Sequence, residues 1–109
     1  MNITREKSGD YSILTLNGRI DTTTSPAFEG EIEKLFGEGE KKLIFDCSGL
    51  NYISSSGLRV FLIAQKKVIL LRGTLSLCAM QPAIREIFVI SGFATIFKIY
   101  ETREEALVQ

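Results

Sequence analysis

Histidine is absent from all 109 residues. Ser-His-Asp and Cys-His catalysis are therefore out of reach, as are nearly all zinc-site designs. Only two cysteines occur, Cys47 and Cys78, and they form no Cys-x-x-Cys pair. In a chain that is 45% hydrophobic, a disulfide framework is a poor reading and buried free thiols are expected. Charge of one sign is missing too, because thirteen basic residues cancel thirteen acidic ones. No global field then draws the chain to nucleic acid or to an anionic membrane. No apolar run approaches the roughly 20 residues of a membrane span. The N-terminal residues 1–7 hold no apolar signal region, so the cytoplasm is the expected compartment.

Catalytic fingerprints are missing as well. There is no Gly-x-Ser-x-Gly elbow and no Walker glycine-lysine loop. Gly49 and Gly57, flanking the serines, lack the spacing of a dinucleotide site. A serine nucleophile at Ser55 would need a base, and a Ser-x-x-Lys arrangement fails because position 58 is Leu. The chain is expected to need no cofactor or metal and not to be an enzyme.

What is present is an ordered alternation of strand and helix signals. Residues 2–7 and 11–17 read as two strands joined by a tight turn at Ser8-Gly9-Asp10. The first is polar and suits an edge; the second has no clearly wet face and suits a strand covered on both sides. Ser25 before Pro26 reads as an N-cap, and Phe28, Ile32, Leu35 and Phe36 give residues 26–36 one apolar face. Leu43 to Cys47 forms a short buried strand, followed by a polar loop. From Gly57 to Leu71 the pattern is helical, with one stripe of Leu58, Phe61, Leu62, Gln65, Val68 and Ile69. Val60, Ile63, Leu70 and Leu71 fall towards the opposite side, so this helix is either buried all round or offers a contact surface.

A fourth strand spans residues 74–79, and Pro82 opens a helix carrying Ile84, Ile87 and Phe88 on one face. Residues 95–100 read as a fifth strand. Thr102 and Glu105 fit a capping box before a short last helix, 104–108. The order β-β-α-β-α-β-α-β-α predicts an α/β domain with a mostly parallel sheet and an antiparallel edge. No repeat, low-complexity tract or linker divides it, so residues 1–109 are taken as a single domain.

The chain is organised around Asp46 to Leu58, where a buried strand meets a helix start carrying Ser54, Ser55 and Ser56. Serines there suffice as helix caps on local chemistry alone. The helix dipole at that point also favours negative charge, so the fold would tolerate a phosphate. Parallel strand order would bring Asp21, Thr22, Thr23 and Thr24 beside this loop, at the carboxyl ends of adjacent strands where α/β domains place their sites. Asp21 is then either an interface residue or an ordinary turn residue.

Asp46-x-Ser48 followed by Ser54-Ser55-Ser56-Gly57-Leu58 resembles the signature loop of STAS domains in bacterial anti-sigma factor antagonists. Gly18-Arg19-Ile20-Asp21 is similar to that family's earlier Gly-x-(Leu/Ile)-Asp motif. Arg72-Gly73, Pro82, Ser91-Gly92-Phe93 and a late Glu-Glu-Ala-Leu follow in matching order, so the resemblance covers the whole chain. It implies a STAS-like α/β single domain with a mixed five-stranded sheet and about four helices.

The resemblance also implies a phosphorylation switch. The unmodified domain would bind an anti-sigma factor that is also a serine kinase, with an ATP-binding, histidine-kinase-like fold, and so release a sigma factor. The kinase would then phosphorylate one serine and abolish binding, and a serine phosphatase would reset the system. Alignment on the motif makes Ser55 the acceptor, with Ser56 the runner-up. Before the acceptor the family commonly has Asp; here Ser54 leaves one fewer negative charge. The partner-binding surface is expected to comprise Asp21, Thr22, Thr23 and Thr24, with Ser54, Ser55, Ser56 and Gly57. An apolar patch of Val60, Ile63 and Leu70 would continue it. Alternatives are a constitutive STAS adaptor subunit of a signalling or lipid-transport complex, and a small enzyme with an unrecognised serine nucleophile.

Overall fold

The structure, a computed structural model, describes residues 1–108. Two polar-to-apolar strands open the chain, β1 (Asn2–Ser8) and β2 (Tyr11–Ile20). They pair antiparallel, with Ser8 opposite Tyr11, so Gly9-Asp10 is a two-residue hairpin turn. Gly9 sits at φ 59° while Asp10 stays negative, the pattern of a turn with glycine at its first central position. Helix α1 (Ser25–Gly37) leads to β3 (Lys42–Ile53), α2 (Ser55–Leu70) to β4 (Thr74–Cys78), and α3 (Pro82–Ile90) with a 3-10 turn (Phe93–Thr95) to β5 (Lys98–Tyr100). Each helical crossover joins a parallel pair, giving one sheet in the order β1-β2-β3-β4-β5. Helix α4 (Arg103–Leu107) ends the described chain.

Alternation along the strands sends side chains to both faces. Leu14, Leu16, Leu43, Phe45, Leu75 and Leu77 meet the helices α1 to α3 in the main core. At its centre four phenylalanines pack edge-on or tilted: Phe61 lies 5.4 Å from Phe28, 5.3 Å from Phe45 and 5.4 Å from Phe88, within the range of favourable ring pairs. On the other face Ile13, Ile44 and Cys78 pack against Ala106 of α4. Cys47 belongs to the main core and Cys78 to this second one, so the two free thiols lie on opposite faces. Burial pushes the Cys78 thiol up to about 12, and Cys47 well above its ordinary value.

Helix α4 is short, and polar contacts hold it. Thr102 and Glu105 form the reciprocal capping box. Arg103 donates from Nε to Asp46 at 3.0 Å and from a terminal nitrogen to Thr15 at 2.9 Å, and pairs with Glu6. Burial pushes the Asp46 carboxyl up, but hydrogen bonds from Ser48 and the Arg103 guanidinium outweigh it and hold the group below its ordinary value. No helix among the described residues is long and apolar enough to cross a membrane.

Several boundaries differ from the sequence reading, each for a tertiary reason. The polar stretch after Cys47 is not a loop: β3 continues through it to Ile53, because the lengthened β2 supplies hydrogen-bonding partners. The fifth strand starts only at Lys98; residues 93–95 coil so that Phe93 and Phe97 can pack on Phe88. Thr24, not Ser25, occupies the N-cap of α1, leaving the Ser25 side chain free to bond elsewhere. Helix α2 begins at Ser55, with Ser54 as its cap.

Candidate functional site

The ends of β2 and β3 run on as a ribbon past the end of β4 and, after Asn17, past β1 as well. Asn17 pairs with Gly49, Gly18 with Leu50, Arg19 with Tyr52 and Ile20 with Ile53, across two register shifts. Gly49 leaves room for the Asn17 side chain, whose Oδ1 would lie 1.9 Å from an added Cβ and would have to swing aside. The ribbon delivers two turns side by side at the carboxyl end of the sheet. The Ser54 N–H donates to the Ile20 carbonyl at 2.8 Å, tying the serine turn to the turn that begins at Asp21.

The serine hydroxyls are not equivalent. Ser54 Oγ accepts from the Gly57 N–H at 3.3 Å, an ordinary N-cap. Ser54 Oγ also lies 2.7 Å from Ser56 Oγ, and Ser56 Oγ lies 3.1 Å from Ser25 Oγ. Ser25 donates to the Asp21 carbonyl at 2.6 Å. A carbonyl can only accept and each hydroxyl has one proton, so the direction of the chain is fixed. Ser54 donates to Ser56, Ser56 to Ser25, and Ser25 to Asp21. Ser55 stands outside the chain, exposed and with no hydrogen-bond partner among the described residues.

Across the gap, Asp21 Oδ1 accepts from the Thr23 hydroxyl at 2.7 Å and from the N–H groups of Thr23 and Thr24 at 3.0 and 3.2 Å. The Thr23 hydroxyl, helped by those N–H groups against burial, holds the Asp21 carboxyl below its ordinary value. Thr24 Oγ1 accepts from the Asp21 N–H at 2.8 Å and donates to the Arg19 carbonyl at 2.9 Å. Thr22 and Thr23 are exposed. Asp21 thus organises its own turn, and its second oxygen faces Arg19 Nε at 3.8 Å. The Arg19 guanidinium lies over the Tyr52 ring, 4.1 Å from its centroid.

The expected site residues fall into two groups. Asp21, Thr22, Thr23, Thr24, Ser54, Ser55 and Ser56 are brought together at one end of the molecule. Gly57 lies beneath them, buried, where a Cβ would meet Ile20 and Ile53 side-chain carbons at 2.7 and 2.8 Å. The apolar patch is corrected. Val60 is only 2% exposed and belongs to the core, because the first turns of α2 press directly on the sheet. Ile63 is half-buried. Leu70 is exposed but at the far end of the 16-residue α2, about 22 Å from Ser55 at roughly 1.5 Å per residue.

A family model, that of the STAS domain, matches residues 2–106. BtrV of Bordetella bronchiseptica, provisionally named an anti-sigma factor antagonist, is 37% identical over 106 residues, 97% of this chain and 91% of its own. The chain belongs to the STAS-domain family of anti-sigma factor antagonists. That family is non-enzymatic. The STAS fold is equally clear in solved structures. A Thermotoga maritima protein provisionally described as an anti-sigma factor antagonist superposes with TM-score 0.93 at 20% identity, covering 97% of this chain and 92% of that one. Bacillus SpoIIAA in its phosphorylated form superposes with TM-score 0.77 at 21% identity, over 98% and 97% of the two chains.

Within this STAS domain two features carried no sequence signal. Ser25 enters the hydroxyl chain only because α1 and α2 start side by side. Arg19 and Tyr52 meet only through the ribbon register, which the polar residues Ser48, Gly49 and Asn51 conceal.

Proposed function

We propose that this STAS domain is a cytoplasmic anti-sigma factor antagonist whose grip on its partner is switched by phosphorylation of Ser55. One observation carries the reading. Of the three consecutive serines, only Ser55 offers an exposed hydroxyl with no partner, while Ser54 and Ser56 are committed to a closed chain. SpoIIAA, a structural relative, has been solved in both unphosphorylated and phosphorylated forms, which supports carrying the chemistry over. The partner is an anti-sigma factor that is also an ATP-dependent serine kinase, and a serine phosphatase reverses the modification.

The mechanism is electrostatic. Phosphate adds about −1.5 to −2 charges and three acceptor oxygens at the first residue of α2. The helix dipole compensates by roughly 0.3–1 kcal/mol, and the first turn carries no acidic residue to oppose it. Arg59, exposed and four residues on, lies on the same helix face and can pair with the phosphate. The folded domain therefore tolerates the group. A partner surface docked on a neutral hydroxyl does not, and several kcal/mol of desolvation and like-charge cost lowers affinity by about 100-fold or more.

The test is incubation with the cognate anti-sigma kinase and ATP, followed by intact-mass measurement and peptide mapping. One phosphate on Ser55, with none taken up by Ser55→Ala, is the expected result. A wild-type domain that binds the kinase yet gains no phosphate would make it a constitutive adaptor. Phosphate on Ser56 would contradict the assignment of the acceptor.

A further inference from the structure

Leu70 points to a surface that the serine site does not use. Nine large hydrophobic side chains are exposed among the described residues, and six of them are Ile69, Leu70, Leu71, Val89, Ile90 and Ile96. They lie at the ends of α2 and α3 and on the turn before β5. Gln65 of α2 donates to the Ile96 carbonyl at 3.0 Å, joining that turn to α2 one helical turn before Ile69. Phe93 of that turn packs on Phe88 and Phe97, and Val89 and Ile90 follow Phe88 at the end of α3. Leu70 is 80% exposed and Ile90 77%, so these are protruding side chains rather than the walls of a cleft.

Cations flank this apolar surface on its α2 side, while exposed Glu86 lies one turn before Val89 and Ile90 on α3. Lys66 and Lys67 lie one turn before Leu70, Arg72 follows it, and Lys98 shares a groove with Ile69, Gly73 and Thr74. Lys41 touches the same corner, its carbonyl accepting from the Thr74 N–H at 2.8 Å. None of these five has an ion pair or side-chain hydrogen bond among the described residues. The net charge of zero hides this separation, because most of the remaining cations are paired with carboxylates elsewhere.

The geometry points to an anionic lipid membrane as the occupant of this surface. Three features favour lipid over protein. Protein interfaces are enriched in aromatic residues and arginine and depleted in lysine, whereas this surface is aliphatic and four of its five cations are lysines. Lysine stems lie along apolar surface while their heads reach phosphate. A flexible lipid headgroup region accepts protruding side chains without a matching cavity. A second copy of this chain fits poorly, since a symmetric contact would set the same cations against one another. The surface lies at the far end of α2 from Ser55, so it does not depend on the proposed switch.

Flotation with vesicles tests this directly. The probe is phosphatidylcholine vesicles with and without about 30% phosphatidylglycerol, an anionic fraction in the range that attracts polybasic surfaces. We expect the bound fraction to be at least about tenfold higher on anionic vesicles and to fall as salt rises to about 1 M. Leu70→Glu with Ile90→Glu, and separately Lys66→Glu with Lys67→Glu and Arg72→Glu, should abolish it while thermal melts stay cooperative. Protein that remains with the soluble fraction on both vesicles would overturn the proposal and return the surface to an acidic protein partner. Equal binding by the charge-reversed variants would overturn it too. So would a concentration-dependent dimer, seen by light scattering, that Leu70→Glu dissolves.

Discussion

Ser55 and Ser56 are neighbours in sequence with opposite circumstances, and substitution should separate them. Ser56→Ala breaks the run of hydroxyls from Ser54 to Asp21 and leaves the Ser25 acceptor unserved. About 1 kcal/mol of stability should be lost, read as a lower denaturation midpoint, while phosphate still reaches Ser55. Ser55→Ala should leave the midpoint unchanged and remove phosphorylation. Gly57→Ala has a different fate. Its Cβ would meet Ile20 and Ile53 inside the core, so a cost of about 1–3 kcal/mol is expected, again read by chemical denaturation. The motif order made the serine loop legible as a site. It could not rank Ser55 over Ser56 physically, because the ranking rests on Ser25, thirty-one residues from Ser56. For the same reason a helical wheel set Val60 on an outer face: the wheel shows angular position, not how closely the first turn of α2 presses on the sheet.

Among the elements, α4 is the most dependent on a few contacts. With only five residues and one fully buried side chain, Ala106, it relies on Arg103 bridging Asp46, Thr15 and Glu6. Arg103→Ala should cost about 2 kcal/mol, as expected for hydrogen bonds to a charged group. The loss should depend on pH in a set direction. Asp46 titrates lower in the folded chain than unfolded, so its contribution is complete above the unfolded value near about 3.9. That contribution fades as pH falls through the lower folded value. The gap between wild type and Arg103→Ala should therefore narrow in strong acid to what the Thr15 hydrogen bond leaves; a constant gap would contradict the clamp. The capping box at Thr102 was legible because it is local. The ribbon from Asn17 to Ile20 against Gly49 to Ile53 was not, since polar residues there form strand only by pairing with each other. At residues 95–97 the error ran the other way, where alternating residues mimicked a strand and the packing of Phe97 on Phe88 and Phe93 coiled the backbone instead.

At the scale of the whole molecule, α2 joins two ends with different chemistry. One end presents a polar, rigidly hydrogen-bonded surface around Ser55; the other presents aliphatic side chains among free cations. The order of elements and the parallel sheet were legible from periodicity, because each helix must bury one stripe against strands of matching pattern. The charge separation was not, as totals sum to zero and only the fold shows which cations are paired. A modification at one end of so tightly packed a domain should alter recognition and leave stability alone. Phosphorylated and unmodified protein should melt within about 4 degrees of each other, since the dipole and Arg59 contribute less than about 1 kcal/mol. The most direct measurement is calorimetric titration of the anti-sigma kinase with unmodified, Ser55-phosphorylated and Ser55→Asp protein. The account predicts tight binding by the first and a loss of about 100-fold or more for the other two; equal affinity for all three would contradict it.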